Sequence, residues 1–315
     1  MSQIVVHPEV RTVTKADIVE RDPSLDVVQP PAAEVGDVLA AQSGRKVFIS
    51  ANRTWDDSYV DALSAGDWVT TSGSGYETYP LDEFEERGVT FTNTNGIHYR
   101  PIGEHAFGLL FAVSRQLFTF HDLQQEREWG RLQYPLTDYG GEVCCIVGLG
   151  EIGEPLAEQA QTFGMTVRGV KRTVEGYDGA ADAVYPPEEL LTALDGARAV
   201  IICVPLTEET HGLIDAAAFK ACADDAVLFH VARGPVVDTD DLLHALDTNE
   251  LRAAALDVFD EEPLPKDSPL WDRDDVHITP HCAGHTDKYA GRFLDIFLER
   301  YAQWERGDGI ADRLV

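Results

Sequence analysis

The chain has 315 residues, of which 55 are acidic and 25 are basic, so its formal net charge at pH 7 is −30. A surface this acidic repels phosphate groups, which argues against nucleic acids and anionic membranes as partners. No charged and then apolar leader precedes Ile4, and no apolar run approaches the length of a membrane span. We therefore expect a cytoplasmic protein, long enough to hold two domains with separate cores.

The excess of carboxylates comes with very few lysines, namely Lys15, Lys46, Lys171, Lys220, Lys266 and Lys288. In dilute buffer so many like charges repel one another, whereas near molar salt the Debye length falls to ~3 Å and screens that repulsion. The composition therefore predicts a halophilic protein adapted to a salt-rich cytoplasm. The alternative is an ordinary acidic protein.

The first third of the chain carries strand-like apolar runs at Ile4 to Val6, Lys46 to Ile49, Trp68 to Thr71 and Val89 to Thr92. The last two runs lead into polar loops that begin at Ser72 and Asn93. The apolar-periodic stretch from Glu104 to Phe120 predicts a helix that crosses between two domains, and the segment from Tyr289 to Arg306 predicts a helix that returns to the first domain.

A glycine-rich turn at 148–153 follows the apolar run 143–147 and precedes a helix-like segment. In this context Gly148 permits a tight turn, Gly150 lets the backbone approach a pyrophosphate, and Gly153 lets the helix pack closely on the strand. The turn therefore predicts a dinucleotide-binding site that also includes Glu151 and Ile152. The alternative is an ordinary glycine-rich connection between a strand and a helix.

The next strand-like run, 166–170, ends in Lys171, Arg172 and Thr173. Sites specific for NAD place an acidic residue about 20 residues beyond the glycine turn, where it binds the ribose hydroxyls. Two cations and a hydroxyl stand here instead, and they can bind a 2′-phosphate through charge-assisted hydrogen bonds. We therefore predict NADP as the preferred cofactor, with NAD also used. The alternative is that these side chains are solvated.

Three further motifs, at 231–238, 256–263 and 279–284, each follow an apolar strand-like run. The carboxyl ends of strands in a doubly wound sheet share one crevice, so Arg233, Asp257, Glu262 and His281 are expected to converge there. A guanidinium can clamp a carboxylate, and an imidazole can donate a proton to an oxygen that gains charge. A neighbouring carboxylate orients the ring and favours its charged form, the role assigned to Glu262. Each of these residues alone also fits a structural or solvated role.

In these motifs and their order, the sequence resembles the D-2-hydroxyacid dehydrogenase family from about Ser72 to about Gly284. The resemblance implies that Arg233, Glu262 and His281 are catalytic and that Asp257 holds the nicotinamide amide. It also implies a loop that presents backbone N–H groups to the substrate carboxylate. The cofactor-lining residues that it implies are Val204, Pro205, Thr210, Ala232 and Gly284, and the substrate-loop residues are Ser74, Gly75 and Tyr76.

The substrate loop departs from the family pattern at two positions. Glu77 stands where the family usually has aspartate, and Tyr76 replaces a smaller aliphatic residue. The size of the substrate is therefore left open.

The sequence predicts an α/β fold with two Rossmann-like domains, each with a doubly wound parallel sheet, and an active site in the interdomain cleft. We assign 1–112 plus 290–315 to the substrate domain and 113–289 to the NAD(P)-binding domain. The predicted function is reduction of 2-keto acids to D-2-hydroxy acids, by a homodimer joined through its cofactor domains. The alternatives are an NAD(P)-sensing corepressor or scaffold on the same fold, and a relative that oxidises formate.

No histidine or cysteine spacing typical of a metal site occurs in the sequence, so we expect no metal. Structural or surface roles are expected for the other histidines singled out, at 98, 105, 211, 230, 277 and 285. The five cysteines are odd in number and lack a CxxC pair. Cys282 lies beside His281, but nothing near it in sequence lowers the pKa of its thiol, so we do not expect it to be reactive.

Overall fold

The computed structural model describes residues 3–131 and 133–315. Contacts divide the chain into two compact units, one formed by the residues up to Ile97 together with Thr286–Val315 and the other by His98–His285. The sequence placed the boundaries after residues 112 and 289 instead. The first boundary lies earlier because the helix Tyr99–Ser114 packs into the core of the second unit, through Ile102, Ala106, Phe107, Leu110 and Val113.

The N-terminal part of the first unit alternates strands with short helices. In chain order these are β1 (Gln3–Val6), α1 (Lys15–Arg21), β2 (Asp26–Val28), α2 (Val35–Ala41), β3 (Lys46–Ser50), β4 (Trp68–Thr71), α3 (Leu81–Arg87) and β5 (Thr90–Thr92). Within the described residues they form a five-stranded parallel sheet in the order β2-β1-β3-β4-β5. The loops after β3 and β4 therefore leave the same edge of the sheet.

The second unit repeats this pattern on a larger scale. Its elements are α4 (Tyr99–Ser114), α5 (Leu117–Glu126), β6 (Val143–Val147), α6 (Gly153–Thr162), β7 (Thr166–Val170), β8 (Ala183–Tyr185), α7 (Leu190–Leu194), β9 (Ala199–Ile202), α8 (Ala216–Ala221), β10 (Val227–His230), α9 (Thr239–Asp247), β11 (Ala253–Leu256) and β12 (Val276–Ile278). Helix α10 (Tyr289–Arg306) then belongs to the first unit.

The strands of the second unit form a parallel sheet in the order β12-β11-β10-β9-β6-β7-β8. Alternate residues of each strand enter the cores on the two faces. Cys145 and Val147 of β6 pack on one face, and Cys144 and Ile146 pack on the other. Two parallel sheets with apolar cores on both faces confirm the predicted α/β class.

Helix α10 completes the core of the first unit. Trp68 of β4 stacks on Phe297 of this helix, with 5.3 Å between ring centroids, and Trp304 lies 6.2 Å from Trp68. These rings share a buried cluster with Ile4 of β1 and Val47 of β3. The N-terminal strands therefore bury one face of their sheet against a helix from the last part of the chain.

A buried ion pair links β3 to the segment before β4. Lys46 Nζ lies 2.9 Å from Asp67 Oδ2, and the two side chains are 5% and 0% exposed. Asp67 also accepts hydrogen bonds from the backbone N–H groups of Lys46 and Ser64, each at 2.9 Å. Because both charges are removed from water, this pair depends on its full set of partners.

The single helix predicted from Glu104 to Phe120 is wrong. Helix α4 ends at Ser114, and Gln116 has a φ of 57° before α5 begins at Leu117. A left-handed residue cannot continue a right-handed helix, so apolar periodicity alone did not reveal the break. None of the helices in the described part of the chain combines the length and hydrophobicity needed to traverse a bilayer.

Candidate active site

The glycine turn leaves β6 at the point where the strand order of the second unit reverses, between β6 and β9. Gly148 has a φ of 109°, and a Cβ there would lie 2.9 Å from Val204 Cγ1. A Cβ on Gly153 would collide with the carbonyl oxygen of Gly148. The turn therefore tolerates side chains at neither position, whereas nothing lies within 4 Å of a Cβ on Gly150.

Helix α6 begins at Gly153 with no side chain capping its N-terminus. Among the described residues, no acceptor takes the backbone N–H groups of Glu151, Ile152 and Gly153. Donors of this kind at a helix N-terminus form an anion-binding site. The open space beside Gly150, where nothing lies within 4 Å of a Cβ, and these unused donors together fit a pyrophosphate.

A second loop, after β9, lies beside the glycine turn. Val204 approaches Gly148, and the hydroxyl of Thr210 donates to the carbonyl oxygen of Pro205 at 2.6 Å and accepts from the backbone N–H of Thr207 at 2.7 Å. Thr210 therefore closes this loop on itself. The loops after β6 and β9 flank the position where open α/β sheets bind their ligands.

The cations at the end of β7 differ in their surroundings. Lys171 Nζ lies 3.6 Å from Glu154 Oε1 and 5.2 Å from the centre of the Tyr177 ring. Glu154 also accepts a hydrogen bond from the Tyr177 hydroxyl at 2.8 Å. Arg172 and Thr173 are exposed. A phosphate at this strand end would have to compete with Glu154 for Lys171. Arg172 makes no ion pair within 4.0 Å among the described residues, and its charge acts only at longer range on Glu209.

Strands β10, β11 and β12 are neighbours, so the three motifs that follow them leave one edge of the sheet. His281 Nδ1 lies 2.7 Å from Glu262 Oε2, while Glu262 Oε1 accepts from the backbone N–H of Phe259 at 3.1 Å. The side chains of His281 and Glu262 are 50% and 35% exposed. Glu262 therefore fixes one ring nitrogen of His281 and leaves Nε2 for another partner.

Arg233 follows β10, and its backbone is held from two sides. A Cβ on Gly234 would collide with the backbone of Phe259, so only glycine lets the two loops meet here. His230 Nε2 contacts the carbonyl oxygens of Arg233 and Gly234 at 3.0 and 3.3 Å. Burial lowers the pKa of His230 to about 4, so the ring is neutral and Nε2 carries the donated proton.

Asp257 lies at the end of β11 and is 2% exposed. Its Oδ1 accepts from the Thr279 hydroxyl at 2.5 Å and from the backbone N–H of Cys282 at 2.9 Å, and its Oδ2 accepts from the backbone N–H of Ala283 at 2.9 Å. The carboxylate therefore ties down the loop that carries His281. The nicotinamide contact implied by the family resemblance stays a prediction.

Three residues of this site received no functional role from the sequence. His105 of α4 and Thr279 form a hydrogen bond beside Asp257, and His230 supports the Arg233 loop. The ligand atoms of His105, Asp257 and Cys282 lie within 4.8 Å of one another. The position of His230 at the end of a fully buried strand could have indicated a structural role beside Arg233. The contact of His105 with Thr279 could not be predicted, because the two residues are far apart in sequence.

The thiol of Cys282 lies in the same cluster. Burial, followed by the charge of Asp257 and a hydrogen bond to that carboxylate, raises the pKa of Cys282. The thiol therefore stays protonated at neutral pH, which disfavours nucleophilic chemistry there.

In the first unit, the loop after β4 is fixed by its carbonyl groups. The oxygen of Ser72 accepts from the Tyr289 hydroxyl, that of Gly73 from the backbone of Thr94 at 2.9 Å, and that of Ser74 from Asn93 Nδ2 at 2.9 Å. Among described residues, no acceptor takes the backbone N–H groups of Ser74, Gly75 or Tyr76. These donors fit an anionic group such as a carboxylate.

Comparison with known proteins agrees with this geometry. Residues 107–283 match the family model described as D-isomer specific 2-hydroxyacid dehydrogenase, NAD binding domain. Glyoxylate reductase from Pyrococcus horikoshii is 35% identical over 249 residues, covering 76% of this chain and 73% of that protein. Glyoxylate/hydroxypyruvate reductase B from an Enterobacter species is 30% identical over 264 residues, covering 82% and 80%.

Among solved structures, a D-isomer specific 2-hydroxyacid dehydrogenase family protein from Aeromonas salmonicida has a TM-score of 0.87 at 28% identity, covering 100% of this chain and 99% of that one. The family model and these relatives confirm the resemblance seen in the motifs. The chain therefore belongs to the D-isomer specific 2-hydroxyacid dehydrogenase family, and it is an NAD(P)-dependent dehydrogenase that reduces 2-keto acids.

Proposed function

We propose that this enzyme reduces glyoxylate to glycolate and hydroxypyruvate to D-glycerate, with NADPH as the preferred reductant. The contact between His281 Nδ1 and Glu262 Oε2 at 2.7 Å carries the catalytic part of this proposal. The names of the relatives from Pyrococcus horikoshii and the Enterobacter species support the choice of these small substrates.

In the proposed mechanism His281 is the proton donor. Glu262 accepts the Nδ1 proton and orients the ring, so that the Nε2–H faces the carbonyl oxygen of the substrate. When bound, the reduced nicotinamide supplies a hydride to the carbonyl carbon. The Nε2 proton passes to the oxygen, so that one hydride and one proton convert the carbonyl group to an alcohol and leave His281 neutral.

Arg233 is the proposed clamp for the substrate, because its guanidinium matches a carboxylate and polarises the adjacent carbonyl. His230 supports this role by holding the carbonyl groups of Arg233 and Gly234. In the first unit, we assign carboxylate binding to the free N–H groups of Ser74 and Gly75, and we assign Tyr76 to shaping the pocket.

The proposed cofactor site uses the glycine turn for the pyrophosphate and the end of β7 for the 2′-phosphate. Glu151, Ile152 and Gly153 supply backbone donors. Val204, Pro205, Thr210, Ala232 and Gly284 are proposed to line the remainder of the cofactor, and Asp257 the nicotinamide amide. Arg172 is the principal phosphate ligand in this proposal, because Glu154 already engages Lys171.

We expect kcat/KM to be higher for NADPH than for NADH when a panel of 2-keto acids is assayed in molar chloride. Arg172→Gln should lower kcat/KM for NADPH by roughly tenfold or more, the loss of one charge-assisted hydrogen bond, and should leave NADH almost unaffected. Lys171→Gln should have a smaller effect. Lys220→Gln, on the exposed surface of α8, is the control.

A higher kcat/KM for NADH in the unmodified enzyme would contradict the NADPH assignment while leaving the reaction unchanged. Failure to reduce any 2-keto acid with either cofactor would contradict the reaction itself. If the protein bound NADPH tightly without turnover, the corepressor or scaffold alternative would replace the enzymatic one.

We also propose that the protein is halophilic, on the basis of its net charge of −30. Its melting temperature should rise by roughly 5 °C or more between dilute buffer and 2–3 M potassium chloride, because the salt screens repulsion among carboxylates. Differential scanning calorimetry checks this, with sucrose as a non-ionic control. A melting temperature that is flat in salt, or that rises equally in sucrose, would contradict the proposal.

A homodimer formed through the second unit is the proposed assembly. Large apolar side chains are exposed along one stretch of that unit, with exposed fractions of 54% for Leu117, 40% for Phe118, 89% for Trp129 and 47% for Leu136. Exposed apolar surface of this kind is typical of protein–protein interaction sites when the side chains form a contiguous patch. Sedimentation equilibrium at high salt gives the mass that decides between monomer and dimer.

A further inference from the structure

A chain of hydrogen bonds connects helix α4 to the loop that carries His281. His105 Nε2 lies 3.0 Å from Thr279 Oγ1, which lies 2.5 Å from Asp257 Oδ1. The side chain of His105 is 23% exposed and its Nε2 lies 3.9 Å from Asp257 Oδ1. The imidazole therefore approaches Asp257 chiefly through the intervening hydroxyl.

The direction of each hydrogen bond between His105, Thr279 and Asp257 follows from the number of protons that each side chain can donate. Both oxygens of Asp257 accept backbone N–H groups, from Cys282 and from Ala283, so the side chain acts as a carboxylate. The hydroxyl of Thr279 has one proton, which it donates to Asp257. His105 must therefore donate its Nε2 proton to Thr279, in the neutral as well as the charged state of the ring.

The loop at the end of this chain of hydrogen bonds has an unusual backbone conformation. His281 has a φ of 50°, which is uncommon for a residue other than glycine. Its backbone N–H donates to the carbonyl oxygen of Thr279 at 3.0 Å. Such a conformation persists only where the surroundings hold it, and here the bonds of Asp257 to residues 279, 282 and 283 bracket His281.

We propose that His105 is a positioning residue for His281. By donating to Thr279, it orients the hydroxyl toward Asp257, and the carboxylate in turn holds the loop in the conformation that presents His281 Nε2. This inference rests on the proposed function for the catalytic role of His281, but the hydrogen-bond chain and its effect on the loop stand without it.

Removing the donor tests the proposal. His105→Leu is expected to lower kcat by about tenfold and to change KM for NADPH little, since a small displacement of a catalytic group slows chemistry without weakening remote contacts. His105→Gln retains an N–H donor and should restore most of kcat. His244→Leu, an exposed histidine of α9, is the matched control.

A second variant removes the hydroxyl and keeps the histidine. Thr279→Val should reproduce the loss in kcat, and the double variant His105→Leu/Thr279→Val should be no slower than either single variant, because both break the same chain. This pair keeps the test valid if one of the variants folds poorly. Additive losses would contradict a serial arrangement and overturn the proposal.

Cys282 reports on the loop without any turnover. Its thiol lies next to Ala283, one of the anchored residues, and a disulfide reagent should label it several-fold faster in His105→Leu and Thr279→Val than in the parent or in His105→Gln. The same variants carrying Cys282→Ser show which part of the labelling comes from the Cys282 thiol. Parent-like labelling and parent-like kcat in His105→Leu would overturn the proposal, whereas faster labelling in a protein that reduces no keto acid would overturn only the proposed function.

Discussion

His281→Asn is expected to lower kcat for 2-keto acid reduction by about 10² to 10⁴-fold, because an amide cannot supply the proton that the carbonyl oxygen needs. The Kd for NADPH should change little, since the pyrophosphate and 2′-phosphate contacts proposed above lie elsewhere in the second unit. Steady-state kinetics and fluorescence titration of the cofactor measure the two quantities separately.

The matched control for this prediction is His285→Asn, four positions along the same segment and exposed. It should retain most of kcat, because no contact in the proposed mechanism involves its side chain. A kcat near that of the parent in His281→Asn would remove the imidazole from the proton transfer. An equal loss in both variants would point to damage of the loop instead.

Asp67→Ala is expected to reduce the free energy of unfolding by about 3–5 kcal/mol, because it leaves the buried ammonium of Lys46 without its partner. Chemical denaturation in molar potassium chloride measures the change, since that salt keeps the native state well populated if the protein is halophilic. The double variant Lys46→Met/Asp67→Asn should recover part of the loss, since it removes both charges and keeps a side-chain oxygen that accepts from the backbone N–H of Lys46.

Asp61→Ala provides the control, because Asp61 pairs with Arg87 at the surface and its side chain is 86% exposed. Exposed pairs contribute little to stability, so this variant should unfold close to the parent. Equal destabilisation by Asp67→Ala and Asp61→Ala would show that burial is not what makes the Lys46 pair important.

The strands were the most predictable part of the fold. Runs such as Val143–Val147 and Ala253–Leu256 are apolar throughout because both faces of each sheet are covered, and they appear in the structure with the same bounds. Because these strands are parallel, the loops after β10, β11 and β12 leave the same edge of the sheet. The proximity of His281 and Glu262 could therefore be expected from the order of the motifs.

Contacts that depend on exact packing could not be predicted in this way. The sequence showed Lys171 as a cation at a strand end, but not that Glu154 of α6 would lie 3.6 Å from it. His105 and Thr279 are 174 positions apart, and only the docking of α4 on the sheet brings them together. Likewise, Gln116 breaks a helix in the middle of an apolar-periodic stretch, where residue type gives little warning.

The contribution of α10 to the first core has a consequence for how the protein is made. Trp68 lacks its stacking partner Phe297 until residues 286–315 have been synthesised, so the sheet formed by β1 to β5 must wait with one apolar face uncovered. The second unit is continuous in sequence from His98 to His285 and has all its strands available earlier. During translation the second unit is thus positioned to fold first, while the nascent N-terminal segment remains the part that needs protection from aggregation.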